Sequence, residues 1–223
     1  MSVEINLPFP IRNQGGINAC VAIALADACA WALLQAGETD FKTGASAMFL
    51  HFTARRALGQ VNRNLGVPPK AAIDALRAKG VCPEPSYPNT TTDFRATPPP
   101  GAFDRAQKFR DWRVEALSQT TDAFVTELQN GHPILACLRL APNQHAALFS
   151  AKGDGDGHIP DPIGTAIFNH AMLCVGYEPT TDCFRFRNSL GPNRGADGHA
   201  IVPAQVLMSK TWAYGCHWVH WDG

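Results

Sequence analysis

Gln14-Gly15-Gly16-Ile17-Asn18-Ala19-Cys20-Val21-Ala22-Ile23-Ala24-Leu25-Ala26-Asp27-Ala28-Cys29 opens the most informative part of this 223-residue chain. A turn rich in glycine runs into an Ala/Leu-rich stretch that continues to Gln35 without glycine or proline. That composition predicts a helix from about Cys20 to Gln35, with Gly37 ending it and Asn18 as a cap or near-cap. Apolar residues occupy every face, so the helix is expected to be central and buried. It is too short to cross a bilayer, which takes about 20 apolar residues, and it carries Asp27.

Placing Cys20 at the first turn gives the thiol a special setting. Unpaired backbone N–H groups and the helix dipole stabilise a thiolate and lower its pKa. Position alone leaves a merely buried cysteine equally open.

Two distant segments bear on that choice. Asn169-His170-Ala171-Met172-Leu173-Cys174-Val175-Gly176-Tyr177 sets a histidine at the start of an apolar strand. Arg187-Asn188-Ser189-Leu190-Gly191 sets an asparagine at the end of the next. Adjacent antiparallel strands can bring such residues side by side, and an amide oxygen can fix the orientation of an imidazole. Nucleophile, base and orienting group form the general pattern of an activated nucleophile.

Helices are also expected at Ala45–Leu58 and at Pro69–Lys79, the latter with proline at its start and Gly80 after its end. Pro83 to Gly101 contains six prolines, which bars a helix or a central strand and suggests a joint. Residues 103–118 are left as helix or strand, and Asp122–Asn130 as a short helix ended by Gly131. From Pro133 the pattern changes to short apolar runs. Ile134–Leu138, Ala171–Val175, Cys183–Arg187 and His199–Val202 are expected as strands, with Trp212–Trp221 closing the sheet. The fold class is α+β: a helical lobe, then an antiparallel sheet or barrel.

Lys plus Arg equals Asp plus Glu at 19 each, and no basic cluster exceeds Arg55-Arg56, so neither nucleic acid nor membrane is an expected partner. Met1 to Pro10 lacks a basic start followed by an apolar run, so no targeting segment is expected. Seven cysteines leave at least one unpaired, and their apolar surroundings argue for reduced thiols. Gly153–His158 has the flavour of a calcium loop without its spacing or terminal glutamate. Cys216-His217 with His220 lacks a second ligand pair for zinc. No metal or cofactor is expected. His51 and His145 show no partner in the sequence.

Taken together, the three segments resemble the papain family of cysteine peptidases. The shared form is Gln, five residues, Cys; then Asn-His-Ala before an apolar strand and Val-Gly-Tyr; then Arg-Asn-Ser-x-Gly. His170 lies 150 positions and Asn188 168 positions after Cys20, in the family's order. Gly80-Val81-Cys82-Pro83-Glu84 and Tyr87-Pro88 look like its bacterial branch.

The resemblance implies one two-lobed peptidase domain over 1–223. Residues 20–100 would form the helical lobe, 101–223 the mainly β lobe, and 1–19 would cross between them. It implies Cys20 as nucleophile, His170 as base, Asn188 as its orienting partner and Gln14 as an oxyanion donor. Asn169, Ala171, Leu65 and Gly66 are the implied substrate-binding residues, and the substrate is a peptide or protein. The alternatives are a papain-like amidase, deamidase or acyl-transfer effector acting on a specific protein, or a catalytically inactive binding homologue.

Three positions depart from the family: Val21 and Leu190 stand where tryptophan is usual, and Ile17 where a disulfide cysteine often sits. Only 19 residues precede Cys20, too few for the family's long inhibitory propeptide. Control is then expected from removal of a larger precursor, from an inhibitor or immunity protein, or from delivery into another cell. The expected location is the cytoplasm, or outside the cell by a route independent of a signal peptide.

Overall fold

Leu25, Ala26, Cys29, Ala30 and Leu33 are fully buried, which fixes α1 (Cys20–Gln35) as the spine of the molecule. The computed structural model describes residues 1–89, 93–149 and 156–223. One side of α1 meets α2 (Ala47–Ala57) and α3 (Pro69–Lys79). Its other side lies on the sheet. Truncating a fully buried leucine such as Leu25 to alanine costs about 2–5 kcal/mol.

Ser46 starts α2 by accepting from the Phe49 N–H at 3.1 Å. Pro69 starts α3 without loss of a needed donor, and Gly80 ends it at φ 73°. A Cβ on Gly80 would lie 2.0 Å from the Ala106 carbonyl oxygen, so glycine is required for the close approach of 106–109. The prolines at 98–100 give way to α4 (Pro100–Ala106), a single short helix packed near Phe49 and Cys82.

The sheet contains β1 (Val3–Glu4), β2 (Trp112–Ala116), β3 (Ile134–Leu140), β4 (Phe168–Glu178), β5 (Cys183–Arg187), β6 (His199–Pro203) and β7 (Ala213–Trp221). Their order is β2-β7-β3-β4-β5-β6, with β1 paired to β4, and every pairing is antiparallel. Three more helices attach to it: α5 (Thr121–Gln129), α6 (Pro142–Phe149) and α7 (Ala204–Leu207). β4 is buried from His170 to Gly176, which explains its unbroken apolar run.

The expected elements recur with small shifts. Residues 103–118 divide into the end of α4 and the strand β2. Asn18 does not cap α1: Ala19 takes that place without a side-chain bond, and the Asn18 amide turns outward to Asn64. The helix α6 has no counterpart in the sequence reading. The calcium-like Gly153–Gly155 lies outside the described residues.

The chain start is tied to the sheet. Ile5 N–H donates to Val175 O at 2.7 Å, and further on Gln14 N–H donates to Ser189 O at 2.8 Å. Asn13 bridges Leu190 in antiparallel sense. Residues 5–14 therefore run from β4 to the chain just beyond β5, ending beside the first turn of α1.

Candidate active site

Cys20 is the first residue of α1 and is half-buried. Ala19 N–H donates to Ile17 O and Ile17 N–H to Gln14 O, a pair of tight turns that aims the helix start at the sheet. Burial by itself pushes the Cys20 thiol up. A hydrogen bond to His170 and the charge of that ring, with the backbone amides of Ala171 and Val21, more than offset it, so the thiol titrates below its ordinary range.

His170 is the third residue of β4, opposite Leu138 of β3, and is almost fully buried. Its Nε2 lies 2.8 Å from Asn188 Oδ1. The same oxygen accepts the Ser189 N–H at 2.8 Å, which fixes it as the acceptor and assigns the imidazole proton to Nε2. Nδ1 is then the ring nitrogen left for the thiol. Asn188 sits one residue past β5 and is anchored by its N–H to Gly198 O at 3.1 Å. The His170–Asn188 pair is buried, out of competition with water.

Gln14 is brought to the same corner by its backbone bond to Ser189. Its Oε1 accepts from Ser189 Oγ at 2.6 Å, which leaves the NH2 group as a donor. The sequence reading did not single out Ser189. Its position directly after Asn188 is the only signal that could have done so.

The loop around Asn64 is laced to the helix start. Asn64 Oδ1 accepts from Asn18 N–H at 3.1 Å, Asn18 Nδ2 donates to Asn64 O at 2.8 Å, and Asn64 Nδ2 donates to Gly16 O at 2.7 Å. Leu65 and Gly66 follow, both exposed and beside this lacing. Arg55, fully buried on α2, holds the other side of the loop by donating to the carbonyls of Val61 at 3.0 Å and Arg63 at 3.2 Å.

Asn169 is exposed, and its Oδ1 accepts from the Tyr214 hydroxyl at 3.4 Å. Ala171 is 1% exposed, and its backbone is among the groups that act on the Cys20 thiol.

Phe149, at the end of α6, stands against His170, and His145 stacks between Phe149 and Phe168 with centroids 4.5 and 3.8 Å apart. Burial and the neighbouring His170 both lower the pKa of His145. Two sizeable pockets lie elsewhere. One of 370 Å³ is lined by Glu4, Tyr177 and Arg185, and one of 590 Å³ by Arg56, Ala75 and Phe103. Neither is lined by Cys20, His170 or Asn188, so the chemistry rather than the volume marks this site. Among the described residues no cluster of three or more His, Cys, Asp or Glu is arranged to hold a metal ion.

The whole chain superposes on 86% of xylellain, a cysteine protease from Xylella fastidiosa, with a TM-score of 0.89 and 25% sequence identity. The chain has the papain-like fold. The papain-like framework also matches a Carica candamarcensis cysteine protease solved with E-64, at TM-score 0.66 and 19% identity, over 98% of this chain and 96% of that one. Digestive procathepsin L 3 of Tenebrio molitor matches at TM-score 0.69 and 15% identity, over 98% and 69%. In sequence, the chain is 22% identical over 210 residues to an uncharacterized peptidase C1-like protein of Acanthamoeba polyphaga mimivirus. That match covers 90% of this chain, which spans 66% of the length of the viral protein. No family model matches the chain.

Proposed function

We propose that this papain-like chain hydrolyses peptide bonds by thiol chemistry centred on Cys20. The observation that carries the proposal is the buried His170–Asn188 hydrogen bond at 2.8 Å, with His170 also acting on the Cys20 thiol to lower its pKa. In the reacting form the Cys20 thiol has passed its proton to His170 Nδ1. The sulfur attacks the scissile carbonyl carbon, and the C=O electron pair moves onto oxygen. Gln14 Nε2 and the Cys20 backbone N–H hold that oxyanion. As the C–N bond breaks, His170 delivers its proton to the leaving amine. Water, deprotonated by His170, then attacks the thioester and releases the acid, restoring the thiolate and the protonated imidazole.

Asn188 keeps the imidazole in the plane needed for both transfers. Leu65 and Gly66, next to the Asn18–Asn64 lacing, and Asn169 flank the reacting pair, where an extended peptide would lie. A protein inhibitor would occupy the same trough.

The same atoms would serve transfer from a side-chain amide. A peptide library and whole-protein substrates, incubated with the wild type and with Cys20→Ala, separate the readings by mass spectrometry. New termini that vanish in Cys20→Ala are the expected result. A gain of about 1 Da per glutamine without a new terminus would reassign the reaction to deamidation. No Cys20-dependent product from peptides or activated esters would reduce the chain to a binding homologue.

A further inference from the structure

Asp27 is the one charged residue of α1 and is 1% exposed. It lies seven residues after Cys20, two turns along the same helix face and about 10 Å down the axis. Two guanidinium groups close on it. Arg187 Nε is 2.8 Å from Asp27 Oδ2, and Arg12 Nη1 is 3.3 Å from Oδ1. Arg12 and Arg187 are more than nine-tenths buried.

Both arginines reach further. Arg187 Nη2 donates to the carbonyl of Phe9 at 2.7 Å and to that of Pro10. Arg12 Nη2 donates to Ala45 O at 2.6 Å and lies 3.4 Å from Glu84, and its own backbone carbonyl accepts the Gly191 N–H at 2.9 Å. The cluster balances two cations against two carboxylates.

A buried ion pair is a poor source of stability, because desolvation cancels much of the attraction. What this one does is geometric. Arg187 immediately precedes Asn188, which holds His170. Arg12 lies two residues before Gln14. Asp27 belongs to the helix that begins with Cys20. One carboxylate thus joins the three chain segments that carry Cys20, Gln14 and Asn188, and Asn188 in turn holds His170 of β4.

We propose that Asp27 is a positioning residue that sets the separation of Cys20 from His170 and Gln14 by fixing α1 against the end of β5 and the 9–14 segment. The inference rests on the reading of Cys20 and His170 as the reacting pair. The groups acting on the Cys20 thiol are His170 and the amides of Ala171 and Val21, so Asp27 works through their placement and not through its own field.

The test measures three quantities on the full chain: the pH profile of Cys20 alkylation by iodoacetamide, mapped by mass spectrometry; kcat and KM separately; and the thermal midpoint. In Asp27→Asn the alkylation profile is expected to move up toward that of an ordinary thiol. A misplacement of about 1 Å lowers kcat by about a hundredfold, with KM changed far less. Asp27→Glu restores part of both. A folded Asp27→Asn with the wild-type alkylation profile and kcat, or one altered only in thermal midpoint, overturns the proposal.

If Asp27→Asn does not fold, Arg187→Lys takes its place. It keeps the charge but gives up the forked hold on Asp27 and the Phe9 and Pro10 carbonyls, and the same shift is expected. An unshifted profile there overturns the proposal. The alkylation profile needs no substrate. A wild type lacking acid-side reactivity sinks the reacting pair itself, whereas acid-side reactivity that persists in the folded variants sinks only the role of Asp27.

Discussion

The phenyl ring of Phe149 stands nearly perpendicular to the imidazole of His170, with centroids 4.9 Å apart and planes at 75°. The ring covers a flank of the imidazole whose Nε2 is bonded to Asn188, and Leu190 packs only part-buried nearby in the chain. An aromatic pair of this geometry contributes about 0.5–1.5 kcal/mol beyond area burial. Phe149→Ala is therefore expected to lower kcat/KM by about two- to tenfold while leaving the circular dichroism spectrum intact. Phe149→Trp should retain most of the activity, and parallel initial-rate measurements on both variants check this.

Thiol chemistry should single out one cysteine of seven. All seven are free. Burial pushes Cys29, Cys82, Cys137, Cys174 and Cys216 up, to about 12 for Cys82 and Cys216, while Cys20 moves down. Brief exposure of the native protein to iodoacetamide at pH 6 should label Cys20 alone. Peptide mapping that finds another cysteine modified first would contradict the assignment.

His51 should make the fold acid-sensitive. It is fully buried on α2, and neither ring nitrogen has a hydrogen-bond partner among the described residues. Burial, aided by the charge of Arg55, lowers its pKa from 6.5 to about 3. Between those values the unfolded chain takes up a proton that the folded chain refuses. Stability is therefore intact above pH 6.5 and is lost as the pH falls toward 3, by about 5 kcal/mol at most. Urea midpoints measured from pH 7 to pH 4 should fall for the wild type and fall less for His51→Leu.

Ser189 should matter through Gln14. Its hydroxyl holds Gln14 Oε1 and so determines which way the amide points. Gln14→Ala is expected to reduce kcat by about a hundredfold or more, as loss of one oxyanion donor does. Ser189→Ala should cost less, because it frees the amide to turn without removing it. A Ser189→Ala variant more damaged in kcat than Gln14→Ala would argue against this division of labour.

Asn64 should act on binding more than on turnover. Its side chain makes two of the three bonds that tie the 60–66 loop to residues 16–18, each with a net contribution of about 0.5–1.5 kcal/mol. Asn64→Ala is expected to raise KM for peptides several-fold with a smaller fall in kcat, as read from full saturation curves.

Local patterns announced most of these elements. The run from Cys20 to Gln35 has no helix breaker, and the strands from Ile134 onward are short apolar blocks separated by glycine, proline and asparagine. Both signals are carried by neighbours in the chain. The helix α6 escaped because Pro142-Asn143-Gln144 reads as a turn. Its footing is supplied from afar: the buried Gln144 donates to Pro160 O at 3.0 Å while accepting from Ala141 N–H. Asp27 told in sequence only against a membrane span, since its partner Arg187 is 160 residues away. Cys20, His170, Asn188 and Gln14 were legible only as a set, since each is an ordinary residue until the fold gathers them.

The paired asparagines at 18 and 64 carry a consequence for protein engineering. Because their bonds run in both directions, the 60–66 loop and the turn before α1 behave as a single cassette. Grafting a foreign loop to alter selectivity would disturb the thiol's setting unless the graft brings its own asparagine to meet Asn18. Exchanging 16–18 and 60–66 together, with Arg55 kept as the clamp beneath, is the modular route to a recoded trough.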